Sequence, residues 1–201
     1  MSLREVWPFT LYREKFIMSK SRQRGFTLIE LGIVLTIVAI LTLFAVPKVR
    51  GFIITGKVQS TGDDLTTAVA RIRGNAAGIA AVPAYTSMTT AVLAKALVNR
   101  TNAFTVDATV TTIYHKIGSS TAAVTTAPAT ITASNDAFTV TFSNVNISAC
   151  PDLATNLQSA AEVITVGGTT VKANASATLD AQTAATKCSD GDNNTFVFTF
   201  R

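Results

Sequence analysis

Residues 22 to 47 read RQRGFTLIELGIVLTIVAILTLFAVP, and this stretch decides the fold. A basic segment leads to Gly25, and a nearly unbroken apolar run of 21 residues follows from Phe26 to Val46. As an α-helix this run is about 31 Å long, which is enough to cross the hydrocarbon core of a bilayer. One carboxylate, Glu30, lies inside the run, where a charged side chain costs about 2.5 to 3.5 kcal/mol on insertion scales. We therefore expect Glu30 to have a partner that a plain membrane anchor would not need.

The net charge of +5 is concentrated ahead of the apolar run. Residues 1–25 hold six Lys or Arg and two Glu, whereas residues 26–201 hold 11 basic and 10 acidic side chains. Because the larger part is nearly neutral, the composition does not support a broad nucleic-acid-binding surface. Basic residues beside a membrane span stay in the cytoplasm, so we expect the rest of the chain to lie on the other side.

The N-terminal segment differs from an ordinary secretory signal. Such a signal has an apolar core of about 7 to 15 residues and an A-x-A-like cleavage site. The run here is longer, and it ends in Phe44-Ala45-Val46-Pro47 without such a site. Residues 1–17 carry no clear pattern, and a basic leader that begins at Met18 would be sufficient, so a start at Met18 is an alternative.

The motif from Gly25 to Glu30, GFTLIE, resembles the type III signal sequence of type IV pilins and related pseudopilins. The basic leader, the apolar run and Pro47 belong to the same resemblance. It implies that a membrane-embedded prepilin peptidase cuts after Gly25 and that the new N-terminal residue, Phe26, is methylated.

The resemblance also implies an α+β pilin fold. In this fold a long N-terminal α-helix packs on an antiparallel β-sheet, and a disulfide bounds a C-terminal loop region. We expect a leader peptide at 1–25, a long helix at 26–82 that is transmembrane in its first half, and a globular head at 83–201. The Phe26 start resembles the type IVa subclass, whereas the long chain and its aromatic C-terminal strand favour a type IVb-like head.

Cleavage after Gly25 would give Glu30 a partner. Phe26 would acquire a free amine, and Glu30 lies one helical turn further on the same face. The pair can form within one chain or between neighbouring chains. The resemblance implies the second arrangement, in which the pair sets the register of a filament. Four small or hydroxylated positions in the run either permit close helix packing or reflect ordinary composition: Thr27, Gly32, Thr36 and Thr42.

Beyond the run, Pro47 and three glycines predict a weak helix from about 46 to 62, with a kink at Pro47. The glycines are Gly51, Gly56 and Gly62. Asp63 and Asp64 predict a new helix N-terminus. An apolar stripe with spacings of three and four residues predicts that this helix packs on the sheet: Leu65, Val69, Ile72, Ala76 and Ile79. Pro83 is expected to end the helix.

The head is expected to contain two short helices and several strands. The helices are predicted at 89–100, with Val92, Leu93, Ala96 and Leu97 inward, and at 152–161. Alternating or β-branched segments predict strands at 104–110, 111–117, 138–142 and 195–201, a bulge at 143–144, and a hairpin at 163–172. Residues 119–134 are expected to form a loop or short edge strands. Phe196, Phe198 and Phe200 are expected to face the long helix.

The two cysteines, Cys150 and Cys188, predict one disulfide if the domain is exported. Two buried thiols are the alternative. A disulfide here closes a loop of about 39 residues and would contribute about 4 kcal/mol in the chain-entropy model.

No set of residues predicts catalysis or a cofactor. We expect no enzymatic activity, no cofactor and no metal site. The single histidine, His115, is interpreted as a surface or packing residue. The spacing of Asp190, Asp192 and Asn194 begins like an EF-hand loop, but its sixth position is not glycine and its twelfth is Arg201, which cannot ligate.

We therefore expect a major pilin, held in the inner membrane with a periplasmic head and then polymerised into an extracellular fibre. The expected partners are identical subunits, prepilin peptidase, the inner-membrane assembly machinery and membrane lipid. The fibre would serve adhesion, motility, DNA uptake or conjugation. A minor pilin or a type II secretion pseudopilin is the alternative within the family, and a single-span membrane-anchored binding domain is the alternative of another class.

Overall fold

The structure is a computed structural model that describes residues 25–77, 84–100 and 102–201. The chain divides into two compact units, Met1–Thr42 and Leu43–Arg201. Of the residues considered above, Met18, Ile79 and Pro83 lie outside the described residues, as do the predicted end of the long helix at 82 and all of the leader except Gly25.

The first helix, α1, spans Leu28–Ala76 and is α-helical through residue 47. The predicted weakness at 46–62 therefore produces no break in the helix, and the kink at Pro47 stays a prediction. The predicted helix start at Asp63 and Asp64 is wrong, because α1 continues through both. Asp63 accepts a hydrogen bond from Gln59 within the helix, and Asp64 forms an ion pair with Arg100 at 3.2 Å.

One face of α1 is buried in the second unit. The predicted stripe is confirmed at its described positions, since Leu65, Val69, Ile72 and Ala76 are buried. The buried face also begins earlier than predicted, at Ile54 and Val58. These buried residues keep the helix intact across the glycines that precede Asp63, because burial of apolar surface outweighs the weak helix propensity of glycine.

All pairs of neighbouring strands in the seven-stranded sheet are antiparallel. The strands are β1 Phe104–Val106, β2 Ile113–His115, β3 Ala123–Ala129, β4 Ala137–Val145, β5 Val163–Val166, β6 Thr169–Lys172 and β7 Asn194–Phe200. Their order across the sheet is β1-β2-β3-β4-β7-β5-β6. The C-terminal strand therefore lies inside the sheet, between β4 and β5.

Strand β3 corrects the prediction of a loop or short edge strands at 119–134. It is seven residues long and lies between β2 and β4. The sequence did not predict this inner strand because the segment is rich in Ser, Thr and Ala. It also contains Pro128, which cannot donate a hydrogen bond to a neighbouring strand. Pro128 is tolerated because β2 pairs only with Ala123 and Val124.

Three further α-helices lie in the described part of the head: α2 Thr90–Leu97, α3 Cys150–Leu157 and α4 Ala181–Thr186. Helix α2 buries Leu93 and Leu97 as predicted, but Val92 is 40% exposed and Ala94 is buried in its place. Helix α3 begins and ends earlier than predicted. Just beyond its end, the ammonium group of Lys172 donates hydrogen bonds to two backbone carbonyls, those of Gln158 and Ala161.

The predicted bulge, the β5–β6 hairpin and the inward phenylalanines of the C-terminal strand are confirmed. The predicted bulge appears as a register shift between Phe142 and Val145, with Asn144 at a φ of 58°. Gly167 and Gly168 turn the β5–β6 hairpin at φ values of 55° and 79°, as a type I′ turn requires. The three phenylalanines of β7 are fully buried in the core that α1 shares: Phe196, Phe198 and Phe200.

The disulfide between Cys150 and Cys188 is present, and it joins the start of α3 to the end of the α4 region. The segment that it encloses is more regular than a loop. It contains α3, the β5–β6 hairpin and α4.

Two glycines of α1 lie at close contacts with the head. A Cβ at Gly62 would lie 2.5 Å from Oδ1 of Asn156, and a Cβ at Gly51 would lie 2.8 Å from Oγ of Ser148. At Gly56 a Cβ would meet no atom within 4 Å. The first two glycines thus allow close approach of the head to α1, whereas Gly56 has no such contact.

These contacts predict different outcomes for the same substitution at two of the glycines. Gly56→Ala should raise the free energy of unfolding by up to about 1 kcal/mol, because alanine favours the helix. Gly62→Ala should be less stable than Gly56→Ala by about 1 kcal/mol, because Asn156 must move and lose its hydrogen bonds to Val58 O and Gln59 Oε1. Urea unfolding of the full chain in detergent, followed by circular dichroism, measures both. Equal effects of the two substitutions would show that the contact at Gly62 is unimportant.

Candidate functional site

The first half of α1 is an exposed apolar surface. Every described residue from Gly25 to Val46 is exposed, including Phe26 at 79%, Leu28 at 91% and Leu43 at 74%. Among the described residues α1 is the one helix long and apolar enough to cross a membrane, and its most apolar stretch has a mean hydropathy of 2.6. Such a surface needs lipid or other protein around it.

The start of α1 is fixed by a cap that the sequence analysis missed. The helix begins at Leu28, and the backbone N–H of Glu30 donates a hydrogen bond to Oγ1 of Thr27 at 3.3 Å. Thr27-x-x-Glu30 is the pattern of a capping box, which was available in the sequence. Thr27 therefore has a role in the fold, and Glu30 is the third residue of the helix.

The other hydroxyl groups of the apolar run are satisfied within the helix. Thr36 donates to the carbonyl of Gly32 at 2.9 Å, and Thr42 donates to the carbonyls of Val38 and Ala39 at 2.9 Å each. Such bonds let hydroxyl side chains lie in an apolar environment without a further partner.

Glu30 is the exception in this segment. Within residues 25–77, 84–100 and 102–201, its carboxylate has no hydrogen bond and no ion pair. Its negative charge lies in the first turn of α1, where the helix dipole favours it by only a few tenths of a kcal/mol to about 1 kcal/mol. Glu30 is thus a charged group, without a partner, on a surface that is otherwise apolar.

A shallow apolar groove lies on the surface of α1 beside Glu30. It is lined by Ile29, Gly32, Ile33, Thr36 and Ile37. A Cβ at Gly32 would meet no atom within 4 Å, so the glycine is not required by the packing of the described chain. An apolar surface that contains a small residue suits close packing of a second helix.

The second half of α1 is joined to the head by a polar cluster. Arg50 Nη2 lies 2.7 Å from Asp192 Oδ2 and 3.4 Å from the carbonyl of Gly118. Asn146 donates to the other carboxylate oxygen of Asp192 at 2.6 Å. Partial burial raises the pKa of Asp192, but the Asn146 hydrogen bond and the Arg50 ion pair outweigh it and hold the pKa below its usual range.

Two residues of the EF-hand-like spacing, Asp192 and Asn194, bind other protein groups in the structure. Asp192 binds Arg50, and the amide of Asn194 is buried and donates to the carbonyls of Val145 and Ser189. The structure shows no group of three or more metal-ligating side chains within its described ranges.

His115 is a packing residue. Its side chain is almost fully buried, its ring lies 5.3 Å from that of Phe142, and its Nε2 donates to the carbonyl of Ser143 at 2.8 Å. Its Nδ1 is buried without a hydrogen-bond partner. Burial lowers the pKa of His115 to about 4, although the Ser143 carbonyl and the charge of Asp192 act in the opposite direction.

The structure places the predicted site residues in two separate regions. Gly25 and Phe26 precede α1, and Glu30 is in its first turn. Cys150 and Cys188 form their disulfide in the head. The processing and assembly roles of the first three residues stay predictions.

Comparisons with known proteins agree with the motif at the N-terminus. A family model described as the PilS N terminal matches residues 59–201, and a model of the prokaryotic N-terminal methylation motif matches residues 20–46. Among solved structures, the chain is similar to the crystal structure of type IV b pilin from Salmonella typhi. The identity is 21% and the TM-score 0.45, over 67% of this chain and 95% of that chain. No curated protein matches the chain.

The buried histidine predicts a pH dependence of stability. Because the folded state lowers the pKa of His115 from 6.5 to about 4, the unfolded chain binds more protons between these values. The free energy of unfolding should therefore fall as the pH drops from 6.5 to 4, by at most about 1.4 kcal/mol per pH unit.

Urea unfolding at several pH values tests this, with His115→Phe as the control. The variant keeps an aromatic ring but cannot titrate, so its stability should change less across the same window. An equal slope for both proteins would show that His115 does not cause the effect.

Proposed function

Because the chain belongs to the PilS family of type IV pilins, we propose that it is the major structural subunit of a type IV pilus. The subunit is held in the inner membrane by the first half of α1, with its head in the periplasm. After processing it polymerises through the same helix segment into an extracellular fibre. The fibre serves adhesion, motility, DNA uptake or conjugation.

The observation that carries this proposal is the carboxylate of Glu30. It lacks a partner among the described residues and lies in an otherwise apolar, fully exposed helix segment. In a plain anchor the carboxylate would only oppose insertion. In a bundle of such helices the carboxylate favours the one register in which a neighbouring helix places a cation beside it.

Processing supplies that cation. Cleavage after Gly25 by prepilin peptidase gives Phe26 an amine, which stays a cation when methylated. Because Phe26 directly precedes the capping residue Thr27, its amine lies just before the N-terminus of α1. In the fibre, the amine of an incoming subunit pairs with Glu30 of a neighbour, and the groove around Gly32 accepts an adjacent helix.

The surroundings of Gly25 support processing at this bond. A Cβ at Gly25 would meet no atom within 4 Å, so the described fold does not require glycine there. A peptidase that closes around the bond does require a small residue. The inner-membrane assembly machinery then moves the processed subunit from lipid into the fibre.

Removal of the carboxylate should impair assembly. Glu30→Ala leaves insertion and cleavage intact but removes a charge-assisted hydrogen bond of about 1.5 to 3 kcal/mol for each added subunit. The amount of fibre should therefore fall about 10-fold to 100-fold. Sheared fibres, measured by immunoblot and electron microscopy against cells that lack the chain, provide the readout.

Thr42→Val is the matched control. It removes a hydroxyl group from the same helix but outside the groove around Gly32, and that hydroxyl bonds only to Val38 and Ala39 of its own chain. Its fibres should match those of the wild type. Normal fibres from Glu30→Ala would refute the pairing, and normal fibres from cells without the chain would refute the major-subunit assignment.

Cleavage at the predicted bond has its own test. Gly25→Val should block cleavage, because a branched side chain does not fit a site built for glycine. Intact-mass spectrometry of the membrane fraction should show the wild type beginning at Phe26 with a methyl group and the variant retaining the leader. A mature N-terminus at Phe26 in the variant would contradict this.

A further inference from the structure

A cavity of about 450 Å³ lies in the head between the C-terminal end of α1 and helix α2. Cavities of about 300 to 1000 Å³ are typical of small-molecule sites in proteins. Such sites are mostly apolar and contain a few polar groups that orient the ligand. This cavity follows the same pattern, because apolar side chains form most of its wall and two cations lie beside them.

The apolar part of the wall comes from both helices and from the segment that precedes α2. Ile72 and Ala76 lie one turn apart on α1, Val92 and Ala96 lie one turn apart on α2, and Met88 precedes α2. The sequence predicts that Val92 faces the core, but this side chain is 40% exposed. An apolar ligand in the cavity would cover the part of Val92 that the core leaves exposed.

Tyr85 gives the cavity an aromatic wall with a polar end. Its side chain is almost fully buried, and its ring lies 4.8 Å from that of Phe138. Burial raises the pKa of Tyr85, although the charge of Arg73 acts in the opposite direction. The phenol is therefore neutral at neutral pH and can donate a hydrogen bond.

The charged side chains of the cavity are cations. Arg71 and Lys95 belong to its wall, and no described Asp or Glu does. Both cations are exposed, and across the ranges that the structure describes neither forms an ion pair or a hydrogen bond. Asn75 adds an amide that can donate a hydrogen bond. An anion at this cavity would therefore meet two cations that are not neutralised by a described carboxylate.

These features favour one class of ligand. The apolar wall suits an alkyl chain, whereas the two cations and the neutral donors suit an anionic head group. The volume is near the lower end of the range for small-molecule sites, which favours one alkyl chain over the two chains of a phospholipid. We propose that the cavity binds a small amphipathic anion, a single alkyl chain that ends in a carboxylate. This inference concerns the head alone and does not depend on the proposed function.

Binding of octanoate to the full chain tests the proposal, with octan-1-ol and octylammonium as ligands that have the same chain and a different charge. The protein, in a non-ionic detergent, carries ¹³C-methyl methionine, and Met88→Leu assigns the Met88 signal among those of the three methionines. Octanoate should shift this signal saturably, and octylammonium should bind at least about 10-fold more weakly. Hexanoate should bind about 15-fold more weakly than octanoate, because each methylene group contributes about 4-fold.

Removal of the two cations separates the contribution of charge from that of apolar contact. Arg71→Gln with Lys95→Gln should weaken octanoate binding about 10-fold and leave octan-1-ol binding unchanged, because the alcohol carries no charge. Lys187→Gln is the matched control, since Lys187 is exposed and lies outside the cavity, and it should bind octanoate like the wild type. If the double variant does not fold, each single variant replaces it, with an expected loss of about 3-fold.

Four outcomes overturn the inference. In the first, octanoate leaves the Met88 signal unchanged, and in the second, octan-1-ol or octylammonium binds as tightly as octanoate. In the third, the double variant keeps the wild-type affinity for octanoate, and in the fourth, Lys187→Gln loses as much affinity as the double variant. Uptake of octanoate by the detergent does not imitate binding, because it would be the same for the wild type and the double variant.

Discussion

A carboxylate on an apolar helix needs a cation, and this need governs the first half of α1. Thr36 and Thr42 show that polar groups in the segment are otherwise satisfied by the helix itself. Glu30 cannot be satisfied in that way, because the threonine hydroxyls donate to backbone carbonyls, whereas a carboxylate only accepts hydrogen bonds. Under the proposed function, the amine that cleavage creates at Phe26 answers this need, and processing is then a condition for assembly.

The second half of α1 obeys a different constraint. Its buried stripe packs in the head core, and the side chains of Ser148 and Asn156 approach the helix backbone closely at Gly51 and Gly62. The Arg50–Asp192 ion pair adds a polar contact, although an exposed pair of this kind contributes only about 0 to 1 kcal/mol. Apolar burial and close packing therefore hold this part of the helix to the head.

Features with strong local chemistry could be predicted from the sequence, whereas features set by tertiary contacts could not. The alternation of aromatic and polar residues identified β7, because side chains of a strand point to opposite faces in turn. The pair Gly167-Gly168 identified the β5–β6 hairpin, because its turn requires positive φ angles. Asp63 was predicted to begin a helix because aspartate is common at helix N-termini, but the same residue also occurs on the exposed face in the middle of a helix. Strand β3 was missed because its partners, not its own composition, place it inside the sheet. For Glu30 the motif indicated a role, but only the structure shows that the neighbouring hydroxyls are already bonded.

The central claim is that Glu30 pairs with the Phe26 amine of a different subunit. Solid-state NMR of fibres assembled from two subunit populations measures this most directly, with ¹⁵N-phenylalanine in one population and ¹³C-carboxyl glutamate in the other. Only pairs between chains then give a coupling between the Phe26 amine and Glu30. We predict a coupling that corresponds to an ion pair, about 4 Å or less between nitrogen and oxygen. No coupling in the mixed fibres, together with a strong one in doubly labelled fibres, would contradict the claim, because the pair would then lie within one chain.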